Sequence, residues 1–302
     1  MAVVFGENID FSEYLQETDA AHSVRKPSSY VEDVIAYFQQ PDEAKGAKLP
    51  WEKTNGEVRI RGGEVSLWNG INGHGKSLAL GQVCMALMGQ NQPVCIASFE
   101  MKPAKTLQRM CRQAAAHDLP DVEFIRSFHT NTDNKLWLYD QQGTVRSDKI
   151  LAMVRYCADR LSVKHIVIDS LMKCGIREDD YNTQKGFIDQ LTACARDHNI
   201  HIHLVTHARK GENEMAPPNK MDVKGSGSIT DQVDNVFTVW RNKGKERSIQ
   251  ENGAHNVSDP DALLICDKQR NGEWEGKIAL WFDPRSQQFL GNSYSSAQRL
   301  RF

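Results

Sequence analysis

The run Gly70-Ile71-Asn72-Gly73-His74-Gly75-Lys76-Ser77 has the order of glycines, lysine and hydroxyl that cradles a nucleoside triphosphate. Glycines let backbone N–H groups converge on phosphate oxygens, and the positive end of the following helix adds to them. At this spacing Lys76 reaches the β and γ phosphates and the Ser77 hydroxyl ligates magnesium. Gly70, Asn72, Gly73, His74, Gly75, Lys76, Ser77 and Leu78 are therefore the candidate nucleotide-binding residues. The expected ligands are ATP, or another NTP or dNTP, with Mg2+.

A second group of residues fits the same chemistry. Lys164-His165-Ile166-Val167-Ile168-Asp169-Ser170 reads as a buried strand ending in a carboxylate, at the edge where doubly wound sheets hold their ligands. An apolar strand ending in Asp is by itself more often a helix cap. With a phosphate loop about 90 residues upstream, Asp169 becomes the expected magnesium partner of Ser77. Hydrolysis also needs a group to orient or deprotonate water. Glu100, in Ala97-Ser98-Phe99-Glu100, stands at the end of a strand expected to lie beside the phosphate-loop strand. Its alternative role is a first-turn acid of a helix beginning near Met101-Lys102-Pro103. His201, His203 and His207 alternate along one strand face, as a metal cluster or as solvated histidines would.

These residues need a frame. Glu64-Val65-Ser66-Leu67-Trp68 reads as the strand leading into the phosphate loop, and Leu78, Leu80, Val83, Leu87 and Met88 give the next segment a helical apolar face. Apolar runs at Val94-Phe99, His165-Asp169, Ile202-Thr206 and Val236-Trp240 alternate with helical patterns at about 148–162 and 184–198. That is the spacing of βαβ units and of a mostly parallel sheet. Ala262-Cys266 and Lys277-Phe282 flank the turn pair Asn271-Gly272, which predicts a C-terminal hairpin. Residues 1–55 differ: a polar start, a short helical pattern at Val31, Val34, Ile35 and Phe38, then a Gly/Lys/Pro stretch to Pro50-Trp51. The expected organisation is an N-terminal arm with a helix over 1–55, one α/β core over 56–292 and a tail over 293–302.

Composition narrows the class. The 302 residues carry a net charge of −2, so a nucleic-acid surface would have to be local, built from loops. The seven cysteines, at 84, 95, 111, 157, 174, 194 and 266, contain no Cys-x-x-Cys pair and read as reduced, packed thiols. No uncharged run approaches membrane-spanning length, and the start lacks the basic flank and apolar core of a leader. A protein neither exported nor embedded is expected.

In order along the chain, these motifs resemble the hexameric replicative DNA helicases of the DnaB type, which include the mitochondrial helicase Twinkle and the helicase half of phage primase–helicases. The resemblance covers roughly residues 30–290. It implies a RecA-like P-loop NTPase core, with Ser98-Phe99-Glu100-Met101 similar to the catalytic-glutamate motif and Ile168-Asp169-Ser170 to the magnesium aspartate. In Leu204-Val205-Thr206-His207 it gives His207 the place of the γ-phosphate sensor. It places the loop from Arg209 to Gly227 on the central channel, where Arg209, Lys210, Lys220 and Lys224 would neutralise DNA phosphates while Gly225, Ser226 and Gly227 present backbone and hydroxyl donors. Cys266-Asp267-Lys268-Gln269-Arg270 resembles the Lys-x-Arg element inserted into a neighbour's nucleotide site, with Arg270 as arginine finger and Lys268 beside it. Arg241 and Phe282 resemble the residues that sandwich the base.

The resemblance thus implies an ATP-driven motor that translocates on single-stranded DNA as a homo-hexamer and unwinds duplex. Its partners would be a primase, polymerase or loader, and its place the cytoplasm of a bacterial or phage-infected cell, or an organellar matrix. The helix near 31–39 resembles the linker helix that grasps a neighbouring subunit. The chain has no room for a primase or a large helical collar, so a helicase core with only an arm is expected. A recombination or repair ATPase acting as a filament shares the core, as does a regulatory ATPase without motor action. The Lys-x-Arg element and the Gly-Ser-Gly loop favour the helicase over both.

Overall fold

The computed structural model describes residues 25–41, 45–177, 179–209, 214–225, 227–252 and 258–300. They belong to two units, Met1–Lys45 and Gly46–Phe302. In the first, a 3-10 turn over Pro27–Tyr30 leads into helix α1, Val31–Gln39, with Glu32 and Asp33 in its first turn, where the helix dipole favours acids.

The second unit is built on a sheet whose central strands are apolar on both faces. Strand β1 (Val65–Asn69) is followed by helix α2 (Lys76–Gly89), strand β2 (Val94–Ser98), helices α3 (Pro103–Ala115) and α4 (Val122–Thr132), and the short strand β3 (Leu136–Leu138). Helix α5 (Ser147–Leu161), strand β4 (His165–Asp169), helix α6 (Tyr181–Asp197) and strand β5 (His201–Val205) come next. Helix α7 (Ser228–Gln232), strand β6 (Asn235–Arg241), helix α8 (Lys243–Asn252) and strands β7 (Ala262–Gln269), β8 (Gly276–Asp283) and β9 (Gln288–Leu290) complete it.

Every residue of β1, β2, β4 and β5 is buried, as parallel strands covered by helices on both sides must be. Among the described residues the sheet has the order β3-β2-β4-β5-β1-β6-β7-β8-β9. It is parallel through β6 and antiparallel from there on. This is a mostly parallel RecA-like α/β core with a C-terminal hairpin, β7–β8, turning at Asn271-Gly272.

Alternation along the strands sorts side chains into two cores. Trp68, Val167, Val205 and Phe237 meet α2, α3 and α4 on one face, together with Leu49, Trp51, Val58 and Ile60 from upstream of β1. Leu67, Ile166, Ile168 and Leu204 meet α5, α6 and α7 on the other. All seven cysteines are free and buried.

The strand order corrects one expectation. Glu100 was placed at the end of a strand beside the phosphate-loop strand, but β4 and β5 lie between β2 and β1. Consecutive strands of a parallel sheet are joined by crossovers, and local sequence pattern does not record how many strands later insert between them.

Candidate active site

The C-terminal ends of β1, β2, β4 and β5 open on one edge of the sheet, and Lys76, Ser77, Glu100, Asp169 and His207 meet there. The phosphate loop leaves β1 with Gly70, Gly73 and Gly75 all at positive φ, +148°, +79° and +89°. Gly70 is doubly required: a Cβ there would lie 2.3 Å from the Val239 carbonyl oxygen of β6. Gly75 starts α2 in the left-handed region, and a Cβ on it would come within 3.1 Å of the Phe289 ring.

Lys76, buried behind the loop, donates from Nζ to the carbonyls of Gly70 (2.7 Å) and Ile71 (3.1 Å). Burial lowers its pKa to about 8, against the opposing pull of Asp169 and Glu100. The Ser77 hydroxyl donates to Asp169 Oδ2 at 2.8 Å. Burial raises the Asp169 pKa, while the Ser77 bond, Lys76 and Arg109 of α3 act the other way.

This arrangement fits a nucleotide and magnesium. An alcohol and a carboxylate held together supply oxygen ligands to a hard cation, and the glycines keep the amide cradle clear of side chains. Glu100, two residues past β2, reaches the same place: Ser170 Oγ donates to its Oε1 at 3.2 Å, and His207 Nε2 lies 3.7 Å from that oxygen. Glu100 precedes Pro103, the first residue of α3, so it stands outside the helix whose first turn was its alternative role.

His207 links this edge to the loop beyond β5. Burial lowers its pKa and Lys76 lowers it further, which favours the neutral ring. Its carbonyl accepts the Lys224 N–H at 2.8 Å, Ala208 bridges Val223, and the Arg209 guanidinium donates to the Gly225 carbonyl at 3.0 Å. Arg209, Lys224 and Gly225 line a cleft with Asp179 and Tyr181, an aromatic residue that sequence reasoning passed over. Lys220 is exposed and donates to the Asp267 carbonyl, and Gly227 is exposed ahead of α7. Lys210 and Ser226 lie outside the described residues.

Lys268 and Arg270 sit elsewhere. Lys268 Nζ donates to the carbonyls of Thr230, Asp231 and Val233, at and beyond the C-terminal end of α7. Arg270 donates to those of Asp231 and Gln232 and pairs with buried Asp234 at 3.1 Å. Of the remaining two candidates, Arg241 touches the phosphate loop and Phe282 reaches it only through Phe289. The Arg241 N–H donates to His74 Nδ1 at 3.1 Å. Phe282 packs on Phe289, ring centroids 5.2 Å apart, and Phe289 covers Gly75.

The alternating histidines separate. His201 and His203 are fully buried and join His165 of β4 rather than His207. Trp68 Nε1 donates to His203 Nδ1 at 3.1 Å, and His203 Nε2 lies 3.3 Å from His165 Nδ1. His201 is held between the Arg61 carbonyl and the Ser66 hydroxyl. For His201 and His203 the solvated reading is thereby excluded, and no group of three or more His, Cys, Asp or Glu that could hold a metal occurs among the described residues. Period-two spacing put these rings on one face; whether helices or water cover that face is decided by tertiary packing.

Ser170 and Arg109 were also missed. Ser170 stood inside a quoted motif without a role, whereas Arg109 had no local signal, since α3 alone brings it toward Asp169. No helix among the described residues is long and apolar enough to cross a membrane.

Comparison with known proteins agrees with this geometry. A family model described as the DnaB-like helicase C terminal domain matches residues 60–291. The fold is similar to a solved ATPase domain at a TM-score of 0.73 and 14% identity, covering 88% of this chain and 99% of that one. A second similar structure is described as "The Structure Of A DnaB-Like Replicative Helicase And Its Interactions With Primase". It matches at a TM-score of 0.73 and 14% identity, over 93% of this chain and 71% of that one.

Proposed function

The chain belongs to the DnaB-like helicase C-terminal domain family, and from that premise we propose that it hydrolyses ATP to move along single-stranded DNA as a homo-hexameric ring, separating duplex strands as it goes. The observation that carries this reading is the continuous path from Glu100 through His207 to Lys224 and Gly225. The close approach of Glu100 to His207 and the backbone hydrogen bonds beyond it put a group beside the reacting phosphate within a few contacts of a group beside DNA, as a motor requires.

In this reading Glu100 takes the proton of the attacking water, while Lys76 and the loop amides hold the triphosphate in line. Ser77 and Asp169 hold magnesium, which when bound neutralises charge on the β and γ phosphates. His207 responds to the γ-phosphate, and its shift moves the backbone that carries Lys224 and Gly225. Arg270, with Lys268 beside it, completes the site of the next subunit, so turnover depends on assembly. Arg241 and Phe282 flank the base, and Arg209, Lys210, Lys220, Lys224, Gly225, Ser226 and Gly227 contact DNA. Helix α1 grips the neighbouring subunit. A primase is the proposed partner, because one structural neighbour is described with one.

A forked-duplex assay tests the reading, with Lys76→Ala as control. Strand separation that depends on ATP and exceeds the control supports it; separation no greater than the control refutes it. Electron micrographs with ATP and single-stranded DNA should show closed rings, and filaments would favour a recombinase-like action instead.

A further inference from the structure

The phosphate loop carries a side chain that none of the steps above uses. His74 is 1% exposed. Its Nδ1 accepts the backbone N–H of Arg241, the last residue of β6, at 3.1 Å. An accepting Nδ1 places the proton of the neutral ring on Nε2, which is buried and has no hydrogen-bond partner. Burial lowers the pKa of the ring; Glu214 opposes it while Lys243, Lys76 and Arg241 add to it, so the accepting form persists at neutral pH.

The loop already touches β6 once, where Gly70 abuts the Val239 carbonyl. One contact fixes a position and leaves the loop free to tilt; a second, two residues further along the same strand, fixes the tilt. We infer that His74 is a positioning residue that fastens the phosphate loop to the end of β6, holding the triphosphate cradle in register with Arg241, the residue proposed above to flank the base. The inference rests on the nucleotide site proposed above. A residue at 74 without an acceptor leaves the Arg241 amide unpaired, and the two halves of the site then lose their common anchor.

The test separates the two halves chemically. ATP spans both, whereas inorganic tripolyphosphate occupies the cradle alone. Equilibrium binding of each is measured on the full chain with magnesium, by displacement of a fluorescent nucleotide. His74→Met, which removes the acceptor at similar size, should weaken ATP about tenfold, because binding must then order a loop that the bond had held in place. Tripolyphosphate should change less than about twofold on the same scale. His74→Asn, whose side-chain oxygen replaces Nδ1, should restore ATP binding to within about threefold.

Equal weakening of both ligands, or of neither, overturns the inference. Should His74→Met fail to fold, the comparison passes to His74→Asn against His74→Gln, whose oxygen cannot occupy the Nδ1 position; equal ATP affinity of those two overturns it as well. Lys76→Ala keeps the premises distinct. If it leaves both ligands bound as before, the nucleotide site itself is misassigned. If it weakens both while His74→Met changes neither, only the role of His74 fails.

Discussion

Lys268 offers a test that needs neither nucleotide nor a neighbouring subunit. A residue acting only in trans would be silent in an isolated chain, yet Lys268 makes three bonds within its own subunit, at 2.7, 3.0 and 2.8 Å, to carbonyls of Thr230, Asp231 and Val233. Those carbonyls include orphans of the last turn of α7, where the helix dipole favours a cation. One charged donor with good acceptors contributes about 1.5–3 kcal/mol net. The three bonds share a single ammonium on a partly exposed side chain, so they do not add, and about 2 kcal/mol is the reasonable total for Lys268→Met. For a unit of this size about 2 kcal/mol lowers Tm by roughly 4–8 °C. Arg270→Ala should cost less, about 1 kcal/mol, because its guanidinium is half exposed and Asp234 keeps the Val65 N–H. Since both side chains use the Asp231 carbonyl, the double variant should fall short of the sum. Thermal melting of the nucleotide-free chain, followed by circular dichroism at low concentration, is the assay. A Lys268→Met Tm within about 1 °C of wild type would refute the reasoning.

Gly70→Ala should abolish ATP binding, because the new Cβ meets the Val239 carbonyl at 2.3 Å and φ is +148°; retained affinity in a displacement assay would contradict the close approach. Ser77→Ala should lower magnesium-dependent hydrolysis by about 100-fold or more while leaving the melting temperature of the nucleotide-free chain within a few degrees, since it loses one hydroxyl bond to Asp169; activity near wild type would remove Ser77 from the metal site. The buried histidines predict acid lability. His165, His201 and His203 all have pKa values lowered by burial, His201 to about 4, against roughly 6.5 when unfolded. Above that unfolded value they cost nothing. As pH falls below it the unfolded chain takes up protons that the folded chain refuses, so stability should drop toward pH 4 by as much as about 4 kcal/mol per unit for three sites. Urea midpoints that stay flat from pH 7 to 4.5 would show that the cluster opens to water.

How much of this was legible in the sequence follows the range of each interaction. The phosphate loop is eight consecutive residues, and strand His165–Asp169 is one unbroken apolar run ending in its carboxylate, so both could be read without knowing their neighbours. Helices α5 and α6 lie within a few residues of the apolar repeats that announced them. Helix α3 was legible only at its start, near Met101-Lys102-Pro103; its extent was not, because its mean composition is polar and only one narrow stripe, with Met110 and Ala114, faces the core. The insertion of β4 and β5 between β2 and β1 depends on crossovers, which local pattern does not encode. His74 was legible as part of the phosphate loop but not as a contact to β6, because its partner, the Arg241 amide, lies 167 residues away. The histidine cluster likewise needed two strands and Trp68 before its burial made sense.

The last strand has a consequence for how the protein comes into being. Phe289 of β9 covers Gly75, and its backbone exchanges two hydrogen bonds with Gln82 of α2 across 207 residues of sequence. On a ribosome the chain emerges N-terminus first, so the phosphate loop leaves the exit tunnel long before the strand that closes over it. Until residue 290 has emerged the cradle lacks one wall. A nascent chain halted in the β7–β8 hairpin would carry every residue of the phosphate loop and still bind nucleotide poorly, and this delay would keep ATP out of the site until translation of the core is complete.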